Sequence, residues 1–229
     1  IQCSRWAELV QTMNFIGDLS ELIGAVTEFR LLNGADPVLT GMQDDNGESL
    51  TFLKDVFKDE PAGKTPLCAQ INQVVDTIRS LEKDLLARGK RAAVIIATDG
   101  ESTDGDVARA LKPLEKLPVW VGIRLCTDEE PIVTYWDDID NQLELDIDVL
   151  DDIVGEGKQV KSFNDWITYG EPLHRLREFG EAQREMDLLD EGLLSVDGML
   201  SVVSMLLLES VAEKDSIPQP AMCGDALGV

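Results

Sequence analysis

Cysteine is scarce in this 229-residue sequence, and its spacing excludes two classes of protein. The four cysteines, Cys3, Cys68, Cys126 and Cys223, are scattered, and no two of them form a CxxC pair. A small disulfide-stabilised scaffold or a structural zinc site would need paired or regularly spaced cysteines. The pattern therefore predicts reduced thiols in an intracellular protein, which we expect to be cytoplasmic.

Basic residues are also few, with 20 Lys and Arg against 44 Asp and Glu, which gives a net charge of −24. A field of that sign repels nucleic acid and anionic membranes, and it favours cations or basic partners. We therefore expect no nucleic-acid partner and no membrane partner. Most of the carboxylates are expected to form a solvated acidic surface.

The N-terminal residues contain neither the basic region nor the apolar region of a signal peptide. The most apolar stretch lies instead near the C-terminus, at 186–211, where leucines and valines recur at helical spacing. Its uninterrupted apolar part is too short to span a bilayer, and Asp197 would be costly there. We interpret it as a helix, interrupted at Asp197 and Gly198, that packs on the domain or on a partner.

The central stretch of the chain is Ala92 to Asp106, which begins with an apolar run and ends as an acidic loop. The run Ala92 to Thr98 is typical of a strand buried on both faces of a parallel sheet. Asp99 and Gly100 follow it directly, at the carboxyl edge where open α/β folds bind ligands. The acidic residues beyond them, Glu101, Asp104 and Asp106, are expected to be solvated.

A second informative stretch precedes this strand. The loop from Pro61 leads into Thr65 as the expected N-cap and Pro66 as the first helical residue. Apolar residues then recur at helical spacing as far as Leu85. A shorter helix at 107–116 and a buried strand at 119–125 follow, an order that predicts an α/β fold with right-handed crossovers in a parallel sheet.

The remaining stretches predict further elements and three segments of the chain. We expect helices at 4–23, 50–57, 143–154 and 172–179, and strands at 26–32, 38–40 and 160–163. We expect a domain over 1–170, a helical C-terminal extension over 171–212 and a disordered tail over 213–229. His174, between two arginines, is expected at a surface or interface, whereas Trp136, Trp166 and Tyr169 are expected to pack.

The two central loops are expected to meet at one edge of the sheet, because both connect strand ends to helix starts. The Thr65 hydroxyl would then lie near the Asp99 carboxylate. Hydroxyl and carboxylate oxygens suit a hard divalent cation such as Mg²⁺, which usually keeps several waters. An open position on the ion could accept a carboxylate from another molecule.

The same residues resemble a known family. Gly63-Lys64-Thr65-Pro66-Leu67 and Thr98-Asp99-Gly100-Glu101 look like the second and third segments of the metal-ion-dependent adhesion site of von Willebrand factor type A (VWA) domains. The resemblance covers about residues 1–170 and implies a doubly wound, mostly parallel sheet flanked by helices. It implies Thr65 and Asp99 as ligands of Mg²⁺ or Mn²⁺, completed by an acidic side chain of a protein partner. The function implied is non-catalytic, metal-assisted protein binding.

One departure from the family concerns its first segment, an Asp-x-Ser-x-Ser run at the end of the first strand. The chain offers only Asp18-Leu19-Ser20-Glu21-Leu22 near the expected place, and this lacks the second serine. We expect the first strand to be missing from this chain, so that it binds metal weakly or not at all.

Two other functions stay open. The stretch from Asp99 to Thr103 loosely resembles the nucleophile loop of haloacid-dehalogenase-type phosphatases. Asp99 would then be the nucleophile and Glu101 the acid/base of a Mg²⁺-dependent enzyme, with Lys158, Asp151 and Asp152 in the remaining roles. The third hypothesis is a metal-independent structural interaction module, in which Thr65 is only a helix cap and Asp99 only a turn residue.

Overall fold

The structure is a computed structural model that describes residues 5–34, 36–42, 47–58, 62–127, 129–144, 147–150, 152–178 and 184–207. The contacts divide these residues into two compact units. The first comprises the described residues up to Asp152 together with Glu178, and the second comprises 153–177 and 184–207. Residues 153–170 therefore belong to the same unit as the residues of the predicted helical extension. The predicted VWA-like domain, by contrast, was expected to run to residue 170. The predicted tail at 213–229 lies outside the described residues.

The first unit contains five helices and five strands within the described ranges. In chain order they are α1 (Arg5–Ile23), β1 (Thr27–Phe29), β2 (Val38–Thr40), α2 (Glu48–Val56), α3 (Leu67–Ala87), β3 (Ala92–Thr98), α4 (Val107–Leu111), β4 (Val119–Leu125), α5 (Glu130–Asp140) and β5 (Ile147–Leu150). A 3₁₀ turn, Lys112–Lys116, extends α4. The strands form two sheets, a small antiparallel pair and a three-stranded parallel sheet.

The parallel sheet has the strand order β3-β4-β5. Ala92 lies opposite Val119 and Thr98 opposite Leu125, while Val121 lies opposite Ile147. The predicted strands at 92–98 and 119–125 are therefore confirmed, and so is an α/β fold with a parallel sheet flanked by helices.

The central strand β4 is buried on both faces. Its odd-numbered residues, including Val121 and Ile123, pack in an apolar core with α3, α4 and α5. Arg124 belongs to the opposite face, because successive strand residues alternate. Its guanidinium is paired with the carboxylates of Glu8 from α1, at 2.6 Å, and Glu178. A buried cation of this kind is tolerated because both partners compensate its lost hydration.

The antiparallel pair packs with α1 and α2. Thr27 lies opposite Thr40 and Phe29 opposite Val38. Phe29 and Val38 join Ile16 of α1 and Leu53 of α2 in a second apolar cluster. The predicted strands at 26–32 and 38–40 are confirmed, the second with its expected bounds and the first only over Thr27–Phe29.

The second unit consists of four helices: α6 (Ile153–Phe163), α7 (Glu171–Glu178, of which Glu178 belongs to the first unit), α8 (Arg184–Glu191) and α9 (Val196–Leu207). Its core joins apolar residues of all four, among them Val160, Leu173, Leu189 and Val202. In the described part of the chain, no helix is both long and apolar enough to cross a bilayer.

Two predictions in the region 143–163 are wrong. The expected helix at 143–154 is the strand β5 followed by the start of α6, and the expected strand at 160–163 is the end of α6. Leu143, Ile147, Leu150 and Val154 recur at helical spacing, which suggested the helix. Pairing of β5 with β4 overrides that local pattern because it completes the parallel sheet.

The C-terminal stretch is also divided differently from the prediction. Its break lies between α8 and α9, at 192–195, whereas Asp197 and Gly198 belong to the first turn of α9. The buried Asn164 explains the break. Its Nδ2 donates to the carbonyls of Leu189 at 2.8 Å and Gly192 at 2.7 Å, and its Oδ1 accepts from the Leu194 N–H at 3.1 Å.

The environment of His174 contradicts its predicted surface or interface position, because only 2% of the residue is exposed. It lies in α7, and its Nδ1 is 3.1 Å from the hydroxyl of Tyr169. In the same unit, Arg177 and Glu156 form a buried ion pair at 2.5 Å. The polar side chains around His174 are therefore buried in the interior of the second unit. Trp136 is fully buried, as expected of a packing residue.

We predict that Asn164→Asp destabilises the α8–α9 connection strongly. The substitution keeps the side-chain shape but removes the amide donors and places a carboxyl group against the two backbone carbonyls. Buried groups left without partners cost about 1–3 kcal/mol each, so hydrogen-exchange protection of the α8 and α9 amides should fall by about 2–4 kcal/mol. The exposed Gln159→Ala in α6 is the control, and equal protection in both variants would contradict this role of Asn164.

Candidate functional site

The loop before α3 and the loop after β3 lie together, as the sequence predicts. The Thr65 N–H donates to the Thr103 hydroxyl at 3.1 Å, and the Thr103 N–H donates to the Thr65 carbonyl at 2.8 Å. These reciprocal bonds hold 62–66 against 99–106. The two loops form what we call the sheet-edge site, at the carboxyl end of β3.

Asp104 caps the N-terminus of α3 across this junction. Its Oδ1 accepts from the Cys68 N–H and its Oδ2 from the Ala69 N–H, both at 2.9 Å. The Ser102 hydroxyl donates to Oδ1 at 2.6 Å. This hydroxyl contact, aided by the two backbone donors, holds the pKa of Asp104 below its usual range.

The predicted N-cap role of Thr65 is therefore wrong. Helix α3 begins at Leu67 and Pro66 precedes it, with no side-chain bond from that position. A carboxylate distant in sequence satisfies the helix N–H groups that a local threonine was expected to satisfy. The role of Asp104 also differs from expectation, because it is exposed yet engaged by three donors.

The absence of capping leaves the Thr65 side chain available. Thr65 is half-buried, and both its N–H and its carbonyl are used in the loop junction. Within the described residues its hydroxyl oxygen has no hydrogen-bond partner. A ligand at the sheet edge could use this oxygen without disturbing α3.

Asp99 is likewise not used by the turn in which it lies. The turn is held by Thr98, whose hydroxyl donates to the Gly100 carbonyl at 3.1 Å and lies 3.3 Å from the Gly100 nitrogen. Asp99 is exposed, and no donor in the described part of the chain reaches its carboxylate. The alternative in which Asp99 is only a turn residue therefore finds no backbone donor for its carboxylate among the described residues.

The other acids of the loop have different roles. Asp106 caps α4, accepting from the Arg109 N–H at 3.1 Å, whereas Glu101 is exposed. No group of three or more His, Cys, Asp or Glu residues in the described ranges could hold a metal ion. The sheet-edge site therefore offers side-chain oxygens of Thr65 and Asp99 but no complete shell of acidic ligands.

The residues from Asp18 to Leu22 do not form the missing first segment of the metal site. Asp18 lies within α1, and its carboxylate pairs with Lys54 of α2 at 2.7 Å. Ser20 is buried and lies 2.6 Å from the Thr40 hydroxyl. These residues stabilise the packing of α1 and do not follow a strand.

Two of the predicted reduced thiols, Cys68 and Cys126, lie at this edge of the sheet, a position that was not predicted. Burial raises the pKa of Cys126, which follows β4; Arg124 opposes the shift and Asp99 adds to it. Burial also raises the pKa of Cys68, against a hydrogen bond from Ser102. Both thiols stay protonated at neutral pH, which makes them poor nucleophiles. Their positions after a strand and at a helix start were the only signal in the sequence.

We predict that Asp104→Ala lowers the free energy of unfolding by about 1 kcal/mol at neutral pH, the usual cost of losing a helix cap. The pKa of Asp104 is lower in the folded state than its ordinary 3.8. Its stabilisation is therefore complete above that value and is lost as pH falls through the folded-state pKa. The difference between wild type and variant should shrink below about pH 4.

The control for this measurement is Glu101→Gln, which removes the same charge from the same loop without removing a cap. Thermal unfolding followed by circular dichroism at several pH values distinguishes the two variants. An equal loss of stability in both would show that loop charge, and not capping, is responsible.

Comparison with known proteins adds no match to this geometry. No protein-family model matches the chain, and no curated protein or solved structure matches it either. The resemblance to VWA domains thus rests on the motifs of the two loops, and the function has to be inferred from the sheet-edge site itself.

Proposed function

We propose that this protein is a non-catalytic interaction domain that binds a protein partner through a divalent cation at the sheet-edge site. The observation that carries the proposal is the pairing of two loops that each present an unused side-chain oxygen, on Thr65 and Asp99. Both loops are held by hydrogen bonds that do not use these two oxygens, which leaves them to a ligand. We further propose the doubly wound VWA-like arrangement, which the parallel order of β3 and β4 supports.

The donor set suits Mg²⁺ or Mn²⁺. These ions prefer oxygen ligands and commonly retain waters when the protein supplies few of them. One hydroxyl and one carboxylate would hold the ion at the loops, and an acidic side chain of the partner would complete it. When bound, the cation supplies positive charge between two negatively charged surfaces.

The charge of the chain supports this role for a cation. With a net charge of −24, the protein repels an acidic partner unless positive charge lies between them. A cation bound at Asp99 would direct an acidic partner to this edge of the sheet. Since the chain contributes only two of the ligand oxygens, we expect weak binding of the ion alone.

The alternatives make different chemical predictions. A phosphatase with Asp99 as nucleophile and Glu101 as acid/base would hydrolyse p-nitrophenyl phosphate in the presence of Mg²⁺. A metal-independent module would bind its partner equally well with a chelator present. The exposure of Asp99 and Glu101 is compatible with the phosphatase, whereas Asp151, expected in one of its remaining roles, lies outside the described residues.

We predict that Asp99→Asn weakens Mn²⁺ binding at least about tenfold in calorimetric titration, which corresponds to about 1.4 kcal/mol. Thr65→Val should weaken it in the same direction, because valine keeps the shape of threonine without the oxygen. Thr65→Ser keeps the hydroxyl and should bind like the wild type.

Glu101→Gln is the matched charge control, since it removes one carboxylate from the same loop and should change the affinity less than about twofold. A wild type that binds no Mn²⁺ would overturn the metal site. An equal loss in Asp99→Asn and Glu101→Gln would also overturn it, because it would indicate diffuse attraction to the acidic surface.

A further inference from the structure

The segment between β1 and β2 contributes to the sheet-edge site a side chain that is not one of the proposed ligands. Asn33, in this segment, donates from Nδ2 to the Ala62 carbonyl at 3.1 Å and also to the Lys64 carbonyl. A side-chain amide carries two N–H donors, so this amide uses both of them on one loop. The two carbonyls lie on either side of Gly63. Asn33 therefore holds the chain immediately before Thr65.

Gly63 allows the loop to close around this amide. Its φ of +104° lies in a region that residues with a side chain rarely adopt. A Cβ at this position would also lie 3.2 Å from Asn33 Nδ2, closer than an ordinary contact. The loop and the amide therefore fit each other in both backbone shape and hydrogen bonding.

The amide itself lies on a segment that is fixed to α3. Just before Asn33, the Leu32 carbonyl accepts from Gln70 Nε2 at 3.4 Å, and Leu32 packs against the apolar core of the parallel sheet. Arg30 Nη1 donates to Gln73 Oε1 at 2.8 Å. Since Gln70 and Gln73 belong to α3, the segment that carries Asn33 is attached to the same helix that the loop leads into.

Asn33 supplies a restraint that the Thr103 contacts do not supply. The bonds between Thr65 and Thr103 join the two loops of the site at a single residue of each. Among the described residues, only Asn33 forms hydrogen bonds to the three residues before Thr65. Without its amide, the backbone at 62–64 could turn about this junction, and the Thr65 hydroxyl would lose its fixed place.

We propose that Asn33 is a positioning residue of the sheet-edge site, which holds the backbone at 62–64 so that the Thr65 hydroxyl oxygen is placed for a divalent cation. The inference rests on the proposed function, because it gives Asn33 a role in the same metal site. A residue that orients a metal ligand without touching the ion commonly changes metal affinity by about 10–100-fold when it is replaced. Because the chain supplies only two side-chain oxygens to the ion, the placement of each has a large effect on affinity.

The experiment is calorimetric titration of the full chain with Mn²⁺. Asn33→Asp keeps the shape of the side chain but removes both donors and sets a carboxylate oxygen against the two carbonyls, so the affinity should fall about tenfold. The added negative charge alone would instead attract the cation more strongly. The direction of the change therefore distinguishes a loss of positioning from an effect of charge.

Gln73→Glu is the matched control, because it makes the same exchange of amide for carboxylate at an exposed position of α3. Its Oε1 can still accept from Arg30, and the affinity for Mn²⁺ should change less than about twofold. An equal loss of affinity in Asn33→Asp and Gln73→Glu would overturn the inference.

A second comparison tests whether Asn33 acts through Thr65. In Thr65→Val the hydroxyl oxygen is absent, so adding Asn33→Asp to that variant should weaken Mn²⁺ binding by less than about twofold further. A further loss of about tenfold would contradict the proposal. Asn33 would then affect the site independently of the oxygen that it is proposed to place.

Hydrogen exchange in EDTA tests the loop without metal. The Thr103 N–H donates to the Thr65 carbonyl, so its exchange should be at least about tenfold faster in Asn33→Asp. Exchange of the Ile96 amide in β3 should be unchanged, which shows that the fold is intact. Unchanged exchange at Thr103 would overturn the role of Asn33 even where the wild type binds Mn²⁺. A wild type that binds no Mn²⁺ would overturn the proposed function, and with it the metal role of Asn33, even where exchange at Thr103 is faster.

Discussion

The sheet-edge site depends on one carboxylate, that of Asp104. The N-terminus of a helix leaves backbone N–H groups without intrahelical partners, and α3 has no capping side chain of its own. Asp104 supplies the missing acceptors from the loop after β3, and Ser102 orients it. The reciprocal bonds between Thr65 and Thr103 then align the two loops. Because these contacts use backbone and capping groups, the side chains of Thr65 and Asp99 are left to a ligand.

The acidic residues of this loop show that charge alone does not indicate function. Asp104 and Asp106 are both helix caps, and their carboxylates are engaged by backbone donors. Asp99 and Glu101 are both exposed, but only Asp99 directly follows the strand. In a chain with a net charge of −24, hydrogen bonding and position within the fold distinguish a candidate ligand from a solvated acid.

The sequence predicted correctly those elements whose apolar patterns are long and depend only on neighbouring residues. The helix α3 and the strands β3 and β4 have regular apolar patterns with glycine or proline near at least one end, and they lie where expected. The meeting of two loops at one edge followed from the general geometry of parallel sheets.

The failures occurred where contacts between distant residues decide the structure. Asp104 replaces Thr65 as a cap over 36 residues of separation, and Asn164 ends α8 from 25 residues away. The strand β5 has a helical apolar pattern that only its pairing with β4 overrides. His174 is hydrophilic by sequence but buried by packing. None of these contacts leaves a periodic or compositional signal.

The most direct test of the central claim is paramagnetic broadening of assigned amide resonances by substoichiometric Mn²⁺. Broadening should be strongest in 62–66 and 99–104, because an ion bound at Thr65 and Asp99 lies nearest those amides. Broadening spread over the acidic surface, or centred on another group of carboxylates such as those of α5, would contradict a metal site at this edge of the sheet.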